Sequence, residues 1–326
     1  MNKTNMILIA LLVVQGACIG IQQLSSGDEA SLERGLLLQG VDADSVSKVV
    51  IEDGAADAED PMATLVKQGD AWLVSERWDH PADAEKVDEL LREIVALEIA
   101  DVISTTGLHS VELEVDDDDY SKKVTLTTTD GERTLFFGTS GRGSSTHARA
   151  GGTEQVVAVR DFSTWRVNAR PDGWVERLAL EVAPDEVARL ELAGPTGTLT
   201  LTRAEGAVEG TAEWLLSDGT RQAGVDGEDV KELLTKATKL SASKVLGPAS
   251  AVSPELLRVT LTTRAGARSY ALGPAPEADN YALAVTGGSH LLQIGKWAVD
   301  PLLNATFDAL VPEGEAPEAP EGEAPE

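Results

Sequence analysis

The sequence predicts an α+β protein made of two tandem repeats of a mostly antiparallel β-sheet module, with one main packing helix in each. Three observations lead there: a duplicated hairpin, a duplicated amphipathic helix upstream of it, and a strand pattern closed by tryptophan ahead of each helix. Internal repetition comes first in such a reading, because each copy must bury the same apolar faces.

The closest match sets VTLTTTDGERTLFFG (124–138) against VTLTTRAGARSYALG (259–273). Each alternates with period two, turns at a glycine-containing step, and runs into a second strand closed by glycine, which is a β-hairpin pattern. Upstream, AEKVDELLREIVALEIADVIS (84–104) matches EDVKELLTKATKLSASKVLG (228–247). Val87, Leu90, Leu91, Ile94 and Leu97 recur at the spacing of one helix face, and Val230, Leu233, Leu234, Ala237 and Leu240 repeat it. Before the helices, a strand with Val49, Val50 and Ile51 parallels one with Val187, Leu190 and Leu192, and a strand pair ending at Trp72 or Trp214 follows each. After the hairpins, HARAGGTEQVVAV (147–159) parallels YALAVTGGSHLLQI (281–294), and short helical segments are expected around 162–167 and 299–310. The module reads strand, strand, strand, helix, hairpin, hairpin, short helix. Strands in this proportion with a helix packed on the sheet make the α+β class.

These copies set the domains: a hydrophobic segment over 1–24, a polar spacer over 25–42 with a short helix near Leu32–Leu38, a first repeat over 43–170 and a second over 171–312. Residues 313–326, an acidic Pro-rich tail, have little apolar surface to bury and are expected to be disordered. Met6–Ile21 carries no charge, and as a helix it would span about 24 Å, a little short of a hydrocarbon core. Lys3 precedes it and Asp28, Glu29 and Glu33 follow, an order that keeps the N-terminus inside and exports the rest. An uncleaved transmembrane anchor, a cleaved signal peptide and a lipoprotein signal ending at Cys18 are the three readings. The lipoprotein signal lacks the large aliphatic residue upstream, where Gln15 stands.

Acidic residues outnumber basic ones 55 to 27, for a net charge of -28, so a phosphate backbone would be repelled and nucleic acid is excluded as a partner. The single cysteine, Cys18, lies in the hydrophobic run, which leaves the folded part without a disulfide or a thiol nucleophile.

The run Asp116–Asp119 has the carboxylates of a calcium loop without the EF-hand spacing, and reads as a solvated loop whose cation binding stays open. His80, His109, His147 and His290 lie far apart with no HExxH spacing, and read as surface or strand-edge residues. GTSGRGSSTH (138–147) lacks the lysine of a phosphate loop, and Arg142 stands where a nucleophile elbow around Ser140 needs glycine. Trp72 with Trp214, and Trp165 with Trp297, recur in both copies and are expected to anchor the two cores of an aromatic-poor chain. No catalytic, cofactor-binding or metal-ligating residue is assigned, and no cofactor is expected.

With these residues in view, the chain resembles the bacterial family known as domain of unknown function 4340. The resemblance is carried by the hydrophobic N-terminus, the strand Lys48–Glu52, Trp72–Val74, the helix-leading PADAEKVDELL (81–91), and the hairpins closed by Gly138 and Gly273. It covers most of residues 40–312 and implies a membrane-anchored envelope protein, with an ABC-type transporter complex as partner class and no assigned activity. In a bacterial chain the sequon at Asn304 is incidental. The expectation is a non-enzymatic, membrane-tethered scaffold or partner-binding protein in the periplasm, anchored in the inner membrane. The alternatives are a secreted or Cys18-lipidated form, and an extracytoplasmic module binding glycan or peptide in the inter-repeat cleft.

Overall fold

The computed structural model describes residues 35–311, apart from 56–57, 59 and 205–212. The N-terminal hydrophobic segment, Cys18, most of the spacer and the acidic tail lie outside the described residues. Among the described residues no helix is long and apolar enough to cross a membrane.

The first repeat supplies β1 (Val46–Asp53), β2 (Met62–Gln68), β3 (Ala71–Val74), β4 (His80–Pro81), helix α1 (Ala84–Val95), β5 (Ile99–Ser104), β6 (Lys122–Thr128), β7 (Gly131–Ser140), β8 (Ser145–Ala150) and β9 (Val156–Arg160). The second supplies β10 (Leu178–Glu181), β11 (Val187–Gly194), β12 (Gly197–Arg203), β13 (Trp214–Ser217), β14 (Gln222–Val225), α2 (Glu228–Thr238), β15 (Lys239–Ser241), β16 (Lys244–Pro248), β17 (Leu257–Thr263), β18 (Gly266–Pro274), β19 (Asn280–Val285) and β20 (His290–Gly295). Two short helices close it, α3 (Lys296–Leu303) and α4 (Phe307–Leu310).

One nine-stranded sheet runs β4-β3-β2-β1-β6-β7-β8-β9-β5 and the other β14-β13-β12-β11-β17-β18-β19-β20-β16. Strand for strand the order is the same, so the duplication is one of topology as well as sequence. Strands β10 and β15 form a separate two-stranded ribbon. Among the described residues the chain divides by compactness into two units, 35–61 with 88–169 and 62–87 with 170–311.

The first strand of each sheet shows how closely the copies agree. Val46, Val49 and Ile51 are buried on β1, and Val187, Leu190 and Leu192 on β11. Neither set keeps strict period two, because each strand carries a register shift after its first residue: Val46/Lys48 in one, Val187/Arg189 in the other. An extra residue at such a bulge resets which face points inward. The β6–β7 and β17–β18 hairpins also share a turn. Thr128 Oγ1 donates to the Gly131 carbonyl at 2.9 Å, and Thr263 Oγ1 to that of Gly266 at 3.1 Å. Both glycines have positive φ, 112° and 130°, where a Cβ would be strained.

Helix α1 buries Val87, Leu90, Leu91 and Ile94, and α2 buries Val230, Leu233, Leu234 and Ala237. The predicted stripe runs one residue too far in each copy. Leu97 lies past the end of α1, and Leu240 belongs to β15, where it pairs with Leu180. Strands β5 and β16 follow and join the far edge of each sheet beside β9 and β20. The second copy also ends in α3 and α4, where the first has only a 3-10 turn, Thr164–Arg166. The helix expected near Leu32–Leu38 is not present over residues 35–38. Leu36 instead bridges Glu98, and the Leu37 amide donates to Leu97 O at 2.7 Å, tying this segment to the chain that leads into β5.

Each copy covers part of the opposite sheet face with the loop that leads into its hairpin. Val115 packs with Phe136 and Val156, and Val252 with Ala271 and Ala282. The hairpin-closing glycines make room for these loops. A Cβ on Gly138 would lie 1.9 Å from the Leu113 carbonyl oxygen, and one on Gly273 would lie 2.7 Å from Val252 Cβ.

Candidate functional site

The acidic run folds as a tight turn framed by the bridge between Val115 and Tyr120. The Asp116 amide donates to Asp119 O at 2.9 Å, and the Asp116 carboxylate accepts from Ser110 Oγ at 2.7 Å and from the Asp118 amide. The Ser110 bond, then that amide, hold the Asp116 carboxyl below the usual carboxylate range. Asp117 takes a bond from Arg149 Nη2 at 2.7 Å. Among the described residues no three His, Cys, Asp or Glu side chains are grouped to hold a metal ion.

Arg149 is the organiser of this loop, and it is not among the candidate residues that the sequence singles out. It lies on β8 and is only 5% exposed. Its Nε donates to Val115 O at 2.6 Å and its Nη1 to Thr153 O at 3.0 Å, while the guanidinium carbon lies 4.4 Å from the Phe136 ring centre. All three nitrogens are therefore occupied. Strand register sets Arg149 level with Ala284 of the second copy, because each pairs with the equivalent residue of the hairpin, Phe136 or Ala271. A lone arginine where its repeat partner is alanine was the available signal. Pairing with the last strand in chain order, at Ala158 or Gln293, likewise sets His147 level with Ala282, one residue from the Tyr281 match that the sequence suggests.

The Gly/Ser segment connects β7 to β8. His147 Nδ1 lies 3.0 Å from Thr139 Oγ1, not on Ser140. Ser144 Oγ donates to Asp161, and Ser145 Oγ to the Arg142 carbonyl. His109 is an exposed loop residue paired with Glu112. Asn304 is exposed and ends α3. His80 lies on the edge strand β4 yet is only 8% exposed, and its ring meets that of His290 with centroids 4.7 Å apart. Nothing in their spacing announces that meeting.

The tryptophans divide into two groups. Trp72 and Trp214 are buried, as core anchors should be. Trp165 and Trp297 are instead 75% and 77% exposed, which corrects the expectation for that pair. Each follows the last strand of its sheet, beyond which no layer covers it. Each also carries a cation on its ring. The Arg166 guanidinium lies 5.3 Å from the Trp165 centroid and is ion-paired to Glu93 of α1. Lys236 of α2 sets its ammonium 5.0 Å from the Trp297 centroid.

In the first unit an open, polar groove of about 620 Å³ lies beside the Arg149 loop, its lining including Asp117, Lys123, Arg133, Thr134, Phe136 and Gly151. Lys123 is already paired with Glu52 at 2.9 Å, which raises its ammonium pKa.

Fold and surface together define a tandem antiparallel-sheet protein with one exposed, cation-bearing tryptophan after the last strand of each copy. The chain belongs to the family described as Domain of unknown function (DUF4340), whose family model matches residues 72–258. Neither a curated protein nor a solved structure matches the chain.

Proposed function

We propose that this chain is a non-enzymatic, membrane-tethered extracytoplasmic scaffold that binds protein partners, with an ABC-type transporter complex as the partner class. The supporting observation is the pair of exposed indoles, Trp165 and Trp297. A large aromatic side chain left in water gains from being covered, and tryptophan is enriched where binding energy concentrates at protein interfaces. The reactive-looking side chains fit a structural role better. Asp116, Asp117, His147, Ser144 and Ser145 are each engaged within their own loops. One main packing helix per repeat, α1 and α2, gives both indoles the same kind of neighbour.

Crosslinking in native membranes followed by mass spectrometry tests this reading and reports N-terminal processing. Transporter subunits crosslinked near Trp165 or Trp297, and lost in the Trp165→Ala/Trp297→Ala double variant, are expected. Recovery of the chain alone from intact membranes would overturn it. The second reading, an extracytoplasmic module for glycan or peptide, draws support from the groove beside Arg149. It predicts ligand-dependent protection of Lys123 and Arg133 with the indoles unaffected.

A further inference from the structure

Two histidines distant in the chain meet within the second compact unit. His80 opens β4, and its Nε2 lies 3.0 Å from the Glu176 carbonyl oxygen. A carbonyl only accepts, so Nε2 carries the proton and Nδ1 keeps a lone pair. That Nδ1 is buried and has no hydrogen-bond partner. His290 opens β20, and the two ring planes stand at 77°. Its own Nε2 lies 2.9 Å from the Trp78 carbonyl oxygen, so it too donates. Between the two bonds sits an irregular turn: Trp78 and Asp79 both have φ of 56°. Consecutive non-glycine residues in the left-handed region persist only where their surroundings hold them.

We propose that His80 and His290 form an acid-released latch, which holds the Trp78–His80 turn closed while the His80 ring is neutral and lets it open when His80 takes a proton. A proton on His80 Nδ1 would create a buried N–H with no acceptor, beside the His290 ring whose centroid lies 4.7 Å away. Burial accordingly holds the His80 imidazolium below its ordinary pKa; the Glu176 carbonyl opposes this and His290 adds to it. The other charged groups around the pair do not cancel that effect. The Glu176 carboxylate accepts from the Leu178 amide at 2.8 Å, and Arg77 is ion-paired with Asp172 at 2.5 Å. Asp79 lies on the turn itself. Opposite His290 on β16 stands Pro248, and opposite His80 on β3 stands Val74. Lys244, further along β16, faces Glu277 at 3.8 Å.

The sign follows from linkage. The open turn accepts a proton near the ordinary histidine value and the closed turn refuses it, so closure is fully favoured above about pH 6.5 and weakens as pH falls below it. Each pH unit in that window raises the open population about tenfold, until the closed form also takes the proton.

Hydrogen–deuterium exchange on the full chain at pH 7.5 and 5.5, corrected for intrinsic exchange, tests the latch. Peptides covering 75–82 are expected to lose protection by about tenfold at pH 5.5 relative to those covering β17 and β18. His80→Gln keeps a donor toward Glu176 without titrating, and should remove that difference. Equal pH dependence in wild type and variant, or none in wild type, overturns the proposal. Should the variant fail to fold, an NMR titration of the wild-type histidines decides: His80 titrating at or above the free-histidine value overturns the latch, and a lowered value supports it.

Discussion

Lys236 of α2 holds its ammonium 5.0 Å from the ring centre of Trp297, with the indole 77% exposed. Aligning Val87 with Val230 sets Glu93 of α1 level with Lys236, and there Arg166 bridges from Glu93 to the face of Trp165. The two copies have opposite charges at one helix position and still present a cation to an exposed indole. Trp165→Ala and Trp297→Ala should therefore shift stability by no more than about 0.5 kcal/mol each, as surface changes do. Trp72→Ala and Trp214→Ala, which empty the cores, should cost about 3–5 kcal/mol each. Urea unfolding of the four variants separates the two groups.

The glycines divide by a different criterion. Gly138 and Gly273 are required by space, since a Cβ would strike Leu113 O in one copy and Val252 in the other. Gly131 and Gly266 are required by conformation; neither has a heavy atom closer than about 4 Å to an added Cβ, but both have positive φ. Alanine at either of the first two should cost about 1–3 kcal/mol by overpacking and loosen the covering loop. Alanine at either hairpin turn should cost about 1–2 kcal/mol with that loop intact. Limited proteolysis of residues 105–121 and 249–256 distinguishes the mechanisms, because only Gly138→Ala and Gly273→Ala should speed cleavage there.

How much of this was legible in the sequence follows from how local each feature is. The 124–138 and 259–273 hairpins and the α1 and α2 faces are written in nearby residues, and they stand where periodicity puts them. Strand β5 was lost because two register shifts break its alternation, and β4 because it is two residues long. Trp165 and Trp297 were misread because residue type argues for burial, whereas position, just past the last strand, leaves nothing to bury them. The His80–His290 meeting depends on strand order over long range, which one sequence does not carry. Arg149 was hidden by its own strand, in which an outward-facing arginine looks like ordinary solvent exposure until a loop is found to cover it.

That covering makes Arg149 the test of whether the acidic run is a cation site. Its three bonds leave the Val115 and Thr153 carbonyls and the Asp117 carboxylate satisfied without a metal. Calcium at millimolar concentration is expected to leave the melting temperature of the wild-type chain unchanged. Arg149→Met should cost about 1–3 kcal/mol by stranding the buried Val115 carbonyl, and should free Asp117. A calcium-dependent rise in the wild-type melting temperature would show the run to be a cation site after all.

Tyr270 gives the chain its alkaline limit. Its ring is fully buried, its hydroxyl donates to the Ala237 carbonyl at 3.1 Å, and burial pushes its phenol well above the ordinary tyrosine value. The folded state thus keeps a proton that the unfolded chain releases from about pH 10, so stability falls as pH rises past that point. Tyr120 and Tyr281 are also shifted upward, chiefly by desolvation, but both are far less enclosed. A 295 nm absorbance titration should show these two ionising while the chain is folded, with Tyr270 silent until unfolding exposes it. Tyr270→Phe should lose about 1 kcal/mol at neutral pH from the missing hydrogen bond. Part of that deficit should be recovered above pH 10, where the wild type alone bears the cost of withholding ionisation. Three tyrosines titrating together in the folded chain would contradict the assignment, as would identical alkaline unfolding midpoints for the two proteins.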